Sequence, residues 1–575
     1  MKILFCRLAL VATVLVLSDH AWAGDHVFDS GFDDHTEGPH SDAEAARFLT
    51  QSTFGPTLPE ISRLRAIGYN AWLAEQAVQP ASHERQYMED QQAAGLDVYQ
   101  SARQEAWWLH AITGSDQLRL RVAFALSELL VVSDDSGDAG GQPIPMGHYY
   151  DLLTDNAFGN YRSLLEQVTL SPIMGHYLSM FKNQKPDAAT NIRPDENYAR
   201  EVMQLFSVGL VRLNADGSVQ VSGGQPVPTY DQETIRGFAH VFTGWNWANC
   251  PRTSGGQWWE WEYCPSGPVE WPNAGWNASW FLPMEAWESY HASTENKQLL
   301  NYPGVSLAGG LLPGGGTAAS DLGAALDNIF HHPNVGPFIA RHLIKRLVTS
   351  NPSPAYIGRV AATFANNGLG VRGDLGATVR AVLMDTEARH LPSLASNGGK
   401  LREPLLRQTH LWRAMRASSS DSRYREWNSE IYLGQAALRS PTVFNFFLPD
   451  YSPPGELSTL GLLGPEFQIV TDTSVAGVSN ALGSKTFWYW LGNPWYTPED
   501  VVIDLDTELP FANDPVRMID RYDLLFMSRT MSDAMFNTLV SYVQGMNNNG
   551  IEDRRQRVQD AIWLIQTSPE YVIER

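Results

Sequence analysis

The sequence predicts a mainly α-helical protein, and three observations support this fold class. Apolar residues recur at helical spacing in many segments, these segments are bracketed by capping residues and by Gly, Asn or Pro, and alternating strand patterns are scarce. Hydrophobic residues make up 43% of the chain, which over 575 residues is enough for a large core. We therefore expect a multi-helix body with little β structure.

The first 23 residues have the features of a signal peptide. A basic start is followed by an apolar run over residues 8–17, and Ala21-Trp22-Ala23 has the small-x-small form of a signal-peptidase site. The run is too short to cross a bilayer, and no later segment approaches about 18 consecutive apolar residues. We therefore expect cleavage near Ala23, a periplasmic or secreted location, and no membrane insertion after the signal is removed.

Residues 24–40 are acidic, contain Gly and lack an apolar period, which predicts a flexible leader. The helical pattern begins at residue 41, and Ser41, Ser353 and Asp374 are candidate N-caps of separate helices. Residues 441–465 are rich in Pro and Gly, which is typical of an irregular segment that covers a core or lines a site. We expect residues 41–575 to form one large helical domain or two tightly packed helical units.

The charge of the chain argues against polyanionic partners. Its formal net charge is −22, and stripes of Lys and Arg are lacking. Binding to nucleic acid or to an anionic membrane surface depends on such stripes, because it is driven by counterion release. We expect neither partner.

Residues 245–290 form an aromatic insertion, with the phrases WNWANC, QWWEWEYC and WPNAGWNASW broken by Gly and Pro. Cys250 and Cys264 lie within it, and in an exported protein this even pair predicts a disulfide that closes the loop, with a two-Cys metal site as the alternative. Trp faces can stack on sugar rings, or these rings can pack back on the helical body. The candidate sugar-binding residues are Trp245, Trp247, Trp258 and Trp259.

A polar stripe on the segment NIRPDENYAREVMQLFSVGL is the strongest candidate for chemistry. At helical spacing Asn197, Arg200 and Glu201 share one face of residues 191–210. The stripe could be catalytic, or it could be a buried polar network in which Glu196 and Arg200 form an ordinary i,i+4 pair. Arg200 and Asn197 would contact substrate in the catalytic interpretation.

Motifs for other chemistries are missing from the sequence. There is no nucleophile elbow, no metalloprotease motif, no phosphate-binding loop and no dinucleotide fingerprint, so we expect no cofactor. The single Glu288-x-x-His291 spacing does not by itself predict a metal site. Paired carboxylates with His remain, because glycan cleavage needs one protonated and one ionised carboxyl. The candidate catalytic residues are Glu201, Glu196, His240 and His291.

Several phrases occur in an order that resembles a bacterial family catalogued as domain of unknown function 1800. They are ARFLTQSTFGPT, RVAFALSELLVVS, DENYAREVMQLFSVGL, HVFTGWNW, HHPNVGPFIARHLIKRLVTSNPSP, LREPLLR, PTVFNFFLPDY, GPEFQI and TSPEY. The resemblance covers about residues 41–575. It implies export, a largely helical body and a frequent neighbour from a sulfatase-like family as a partner, but no particular reaction. The family's usual His-Asp before a Lys stands here as His291-Ala292 before Lys297, which puts a role for Asp at that point in doubt.

The sequence therefore supports three functional hypotheses. The first is an exported, soluble protein that binds or acts on a carbohydrate polymer, as a carboxylate-dependent hydrolase or lyase. The second is a non-catalytic surface or scaffold protein whose polar stripe is structural. The third is a metal-dependent oxidoreductase. An open cleft that joins Glu201, His240 and the Trp residues would favour the first hypothesis, whereas a sealed, fully hydrogen-bonded stripe would favour the second.

Overall fold

A computed structural model describes residues 38–135, 137–250, 258–262, 278–392, 398–487, 497 and 499–575. The expected signal peptide, nearly all of the acidic leader, Cys264, the side chain of Trp259 and much of the aromatic insertion lie outside the described residues. Within them the chain is mainly helical with a few short strands, which confirms the predicted fold class.

The helices follow one another through the described chain. They are α1 (Asp42–Ser52), α2 (Leu58–Val78), α3 (Glu84–Ala93), α4 (Gln100–Thr113), α5 (Gln117–Ser127), α6 (Gly137–Gly140), α7 (Pro143–Asp155), α8 (Tyr161–Leu170), α9 (Pro172–Tyr177), α10 (Asn197–Gln204), α11 (Gln232–Val241), α12 (Trp258–Glu262), α13 (Ala318–Phe330), α14 (Val335–Leu347), α15 (Pro354–Ala365), α16 (Leu375–Met384), α17 (Thr386–Arg389), α18 (Pro404–Ala414), α19 (Ser429–Leu433), α20 (Glu456–Thr459), α21 (Asp472–Phe487), α22 (Pro515–Met527), α23 (Asp533–Gly545), α24 (Ile551–Gln566) and α25 (Pro569–Val572).

The strands are two residues long and form antiparallel pairs. These pairs are β1 (Val221–Ser222) with β2 (Gln225–Pro226), β3 (Trp245–Asn246) with β4 (Glu285–Ala286), β5 (Lys297–Gln298) with β6 (Leu311–Leu312), and β7 (Lys400–Leu401) with β8 (Ile573–Glu574). The pairing of β7 with β8 ties the end of the chain to the segment that precedes α18.

The predicted N-caps are present in the structure. The Ser41 hydroxyl accepts a hydrogen bond from the backbone of Glu44 at the start of α1. Ser353 and Asp374 cap α15 and α16 in the same way. A side-chain oxygen at this position satisfies a backbone N–H that has no partner within the helix, which explains why these helices begin where they do.

Buried apolar residues from α1 to α25 form one contiguous core. Helices far apart in sequence meet in it: α1 packs on α22, and α4 packs on α18. The ring of Trp108 on α4 lies 5.0 Å from that of Trp412 on α18. A small second cluster forms around Met88 and Ile144.

Two helices are shorter than the apolar period predicts. The period over residues 117–132 predicts one helix, but α5 ends at Ser127 and the following segment runs to Asp134, whose N–H donates to the carbonyl of Leu438 at 2.9 Å. The stripe segment is helical over Asn197–Gln204 alone, and Gly209 then adopts a left-handed conformation with φ 73°.

Candidate functional site

A cavity of about 320 Å³ lies beside the start of α10. Two groups of residues line it. The first group comes from the end of α9 and the start of α10 and includes Tyr177 and Asn197. The second group comes from the segment after α5 and from the irregular segment after Leu438. It includes Ser133, Asp135, Pro441 and Val443. The Pro-rich segment that was expected to cover a core or line a site therefore does line this cavity.

Helix α10 carries the stripe residue Glu201 one turn beyond Asn197. The Glu201 side chain is buried, with 9% of the residue exposed, and its Oε2 atom has no hydrogen-bond partner among the described residues. Burial raises the pKa of the Glu201 carboxyl, and the nearby charge of Arg200 only partly opposes this shift. This environment therefore favours the protonated form of the carboxyl more than water does.

Two phenols lie near the Glu201 carboxyl. Burial, followed by the charge of Glu201, raises the pKa of Tyr177 to about 12 and that of Tyr230 to about 12. Both phenols therefore stay protonated near neutral pH and can donate hydrogen bonds. Since Tyr177 also lines the cavity, it connects the Glu201 environment to the open space.

A buried ion-pair cluster holds together the two segments of the second lining group. The Asp134 carboxylate accepts from Arg103 at 2.8 Å and lies 3.2 Å from Nε of Arg439. The same Arg439 guanidinium reaches the neighbouring Asp135 carboxylate at 3.4 Å. Asp135 is thereby oriented by a group that is itself fixed in the core, while 66% of its side chain remains exposed.

Glu196 and Arg200 take a different position from Glu201. The Arg200 guanidinium donates to Glu196 at 2.6 Å, and the Gln232 amide donates to the same carboxylate at 2.9 Å. Burial would raise the pKa of Glu196, but these hydrogen bonds outweigh it and lower the pKa. This half-exposed pair ties α10 to the start of α11, as the structural interpretation of an i,i+4 pair expects.

His291 is fully buried in an ion cluster. Its Nε2 lies 3.0 Å from Oδ2 of Asp321, and its Nδ1 lies 3.0 Å from the carbonyl of Thr243. The Lys297 ammonium contacts the same Asp321 oxygen at 2.8 Å. Burial would raise the pKa of Asp321, but the hydrogen bonds from His291 and Lys297 outweigh it and lower the pKa. The contacts occupy both ring nitrogens of His291, so this residue is held within the core.

His240 lies at the end of α11, next to that cluster. Burial lowers the pKa of its imidazole; Glu295 opposes the shift, and the charges of Lys297 and His291 add to it. The predicted catalytic residues thus fall into three places: Glu201 one helical turn from a cavity-lining residue, Glu196 in a surface pair, and the two histidines around Asp321.

The Trp residues also separate into two kinds. Trp245 and Trp247 are 4% and 6% exposed, so their rings pack on the body as the alternative interpretation expects. The Trp247 ring packs against the rings of His176 and Trp280. Trp258 is 66% exposed and can meet a ligand.

Sequence reasoning missed Tyr177, Asp135 and Asp321. Asp135 comes shortly after RVAFALSELLVVS, and a run of Ser and Asp directly after a long apolar segment is a usable signal for a polar site in a connecting segment. Asp321 stands inside a capped helix with nothing in its local pattern to distinguish it. Its position 30 residues from His291 could not be connected to that residue without the fold.

A second concentration of buried charge lies away from the cavity lining. The Lys400 ammonium is 3.5 Å from carboxylate oxygens of both Glu403 and Glu466. Nearby, Glu128 faces Arg346 at 3.5 Å. Burial raises the pKa of Glu128 to about 8, although Arg346 opposes the shift. Among the described residues, no group of three or more His, Cys, Asp or Glu side chains is arranged to hold a metal ion.

The chain belongs to the family described as "Protein of unknown function (DUF1800)", whose sequence profile matches residues 47–573. This match confirms the resemblance drawn from the ordered phrases. Neither the curated proteins nor the solved structures include a match to the chain. In the part of the chain that the structure describes, no helix has both the length and the apolar character needed to cross a membrane.

Proposed function

We propose that this member of the DUF1800 family binds a carbohydrate polymer and cleaves it, with Glu201 as the general acid. One observation carries the proposal: a buried carboxyl with a raised pKa and an unpartnered oxygen among the described residues stands one helical turn from Asn197, which lines the cavity. Glycan cleavage requires a carboxyl that is kept protonated near neutral pH, and burial is the usual means. A carboxylate with a purely structural role is normally paired and hydrogen-bonded.

The surroundings of Glu201 suit a sugar. Asn197 offers an amide and Tyr177 offers a phenol at the cavity surface, and both can bind hydroxyl groups. The volume of about 320 Å³ is at the lower end of the range of small-ligand pockets, enough for a sugar unit or two of a longer chain. The exposed Trp258 is a candidate contact for the polymer outside the cavity.

The test is Glu201→Gln, assayed on a panel of soluble polysaccharides for binding and for new reducing ends. The amide is nearly isosteric, but it cannot donate the catalytic proton, so we expect a loss of more than about a hundredfold in cleavage with binding retained. Glu196→Gln is the matched control, because it makes the same change on the same segment, at a carboxylate that is paired with Arg200 and is not among the cavity-lining residues.

The proposal is supported if the wild type and Glu196→Gln cleave the polymer and Glu201→Gln does not. Equal activity in all three proteins would remove Glu201 from the mechanism. Binding without cleavage by the wild type would favour a carbohydrate-binding or scaffold protein.

We also propose that the chain is exported and that Cys250 and Cys264 form a disulfide. The signal-like first 23 residues and the even pair of cysteines beyond them support both statements. N-terminal sequencing of exported protein should begin near Gly24. Thiol labelling of the unreduced, denatured mature protein should detect no free cysteine, and two labelled thiols would contradict the disulfide.

A further inference from the structure

Asp135 belongs to the cavity but has no role in the chemistry described so far. It lies in the second group of lining residues. Glu201 is not itself a lining residue, but it stands one helical turn from Asn197 and near Tyr177, and both of these belong to the first group. The two carboxyl groups come from different segments of the chain, with the cavity between those segments. Their environments also differ, because Glu201 is buried whereas Asp135 is largely exposed.

From this arrangement we infer that Asp135 is the general base that activates water for attack on the bound sugar, opposite the acid Glu201. The inference rests on the proposed function. Two carboxyl groups in contrasting environments are what acid–base cleavage of a glycosidic bond requires. A cavity between the two segments that carry these carboxyl groups leaves room for a water molecule beside the sugar, as in an inverting hydrolase.

The bond changes balance with these two residues and one water. The bond between the anomeric carbon and the leaving oxygen breaks, and its electron pair stays with that oxygen, which takes the proton from Glu201. A water oxygen forms the new bond to the anomeric carbon, and its proton goes to the Asp135 carboxylate. Solvent then returns the proton from Asp135 to Glu201, so no other reactant is needed.

Arg439 is the positioning residue for this base. Its guanidinium lies 3.4 Å from Asp135 and 3.2 Å from the buried Asp134, which in turn accepts from Arg103 at 2.8 Å. Because Arg103 and Asp134 are fully buried, the guanidinium that orients Asp135 is fixed from behind. A base has to be held within a few tenths of an ångström of its working position, and this chain of ion pairs provides that constraint.

A consequence for the substrate follows from the lining. Asp135 is charged, whereas the other lining residues, such as Ser133, Tyr177, Asn197 and Val443, are neutral. A chain with a net charge of −22 and a carboxylate at the cavity repels polyanions. The substrate class is therefore an uncharged glycan rather than a uronate or sulfated polymer.

The experiment compares wild type, Asp135→Ala, Glu201→Gln and Asp327→Asn on neutral polymers (xylan, galactomannan, laminarin and dextran) and anionic polymers (alginate, pectate and chondroitin sulfate). Asp327 is an exposed carboxylate paired with Arg162, away from the cavity, so Asp327→Asn is the matched control. We expect cleavage of a neutral polymer, a loss of more than about a hundredfold in Asp135→Ala, and no loss in Asp327→Asn.

Two further measurements separate a base from a structural residue. Added azide should restore cleavage to Asp135→Ala, since the anion attacks the anomeric carbon without needing a base, and it should not restore cleavage to Glu201→Gln on the polymer. Nuclear magnetic resonance of the first wild-type product should show inverted anomeric configuration.

Three results would overturn the inference while leaving the proposed function in place. They are an Asp135→Ala activity within about threefold of wild type, a product with retained anomeric configuration, and a preference of the wild type for an anionic polymer. A wild-type protein that cleaves no polymer would overturn both.

Discussion

Replacing Asp321 by Asn tests whether the cluster around His291 is a structural anchor. The Oδ2 atom of Asp321 lies 3.0 Å from His291 Nε2 and 2.8 Å from Lys297 Nζ, and all three side chains are buried. Hydrogen bonds to charged groups contribute about 1.5–3 kcal/mol each. Breaking a buried ion pair by removing one partner costs about 3–5 kcal/mol, because the remaining charge is left without compensation. We therefore expect Asp321→Asn to lower the free energy of unfolding by about 3–5 kcal/mol.

Asp327→Asn on the same helix, α13, is the control. Asp327 also forms an ion pair, with Arg162 at 2.7 Å, but 58% of its side chain is exposed. Exposed ion pairs contribute less than about 1 kcal/mol. Urea unfolding followed by Trp fluorescence and by circular dichroism should separate the two variants clearly. Losses that agree within about 1 kcal/mol would refute the buried-anchor explanation. If Asp321→Asn yields no folded protein, Lys297→Met provides a second measurement, because it removes the buried ammonium group that pairs with the Asp321 carboxylate.

The acidity of Asp321 gives this prediction a pH dependence. Its pKa in the folded protein lies below the ordinary value of 3.8. A carboxyl with a lowered folded pKa stabilises the protein above the unfolded value, and that stabilisation is lost as the pH falls through the folded value. The difference in stability between wild type and Asp321→Asn should therefore be full at neutral pH and shrink below about pH 4.

Further predictions concern the buried charge cluster and the Trp residues. Burial raises the pKa of Glu128 from 4.5 to about 8 in the folded protein. Between these pH values the folded state holds a proton that the unfolded state has lost, so the free energy of unfolding of the wild type should fall as the pH rises from about 5 to about 8. Glu128→Gln should flatten that part of a pH series of urea unfolding curves, and an unchanged slope would contradict it. Trp247→Ala should cost about 3–5 kcal/mol because the ring is buried, whereas Trp258→Ala should change stability by about 0.5 kcal/mol or less. Equal losses for the two Trp variants in the same assay would contradict their assigned positions.

The sequence predicted the helical framework well where local chemistry decides it. Ser41, Ser353 and Asp374 were expected to cap helices and do so, because a capping side chain acts within three residues of itself. The end of α5 was not predictable in the same way. The chain leaves the helix after Ser127 although the apolar period continues through residue 132, and the N–H of Asp134 then donates to the carbonyl of Leu438. No local pattern encodes a contact between residues so far apart.

The candidate site was only partly predictable, for a related physical reason. The helical period correctly separates Tyr198 and Val202, which enter the core, from the polar face with Asn197 and Glu201. It cannot tell which polar residue lies against a cavity and which lies in a surface pair. That distinction depends on neighbours such as Tyr230, from another segment.

The contrast between Glu201 and Asp321 leads to one more prediction, which concerns the sign of the stability change. Both carboxyl groups are buried, but Asp321 contacts Lys297 and His291 and has a lowered pKa, whereas Glu201 has an unpartnered oxygen among the described residues and a raised pKa. When the pKa of a carboxyl is higher in the folded protein than in the unfolded chain, the free energy of unfolding falls as the pH rises from the unfolded pKa through the folded pKa. Glu201→Gln removes that loss, so the variant should equal or exceed wild type in stability at neutral pH and show a weaker decline as the pH rises. Urea unfolding over a pH series measures this. A clear loss of stability in Glu201→Gln would mean that the carboxylate is held by contacts that stabilise its charge, and Glu201 would then resemble Asp321 as part of a structural network.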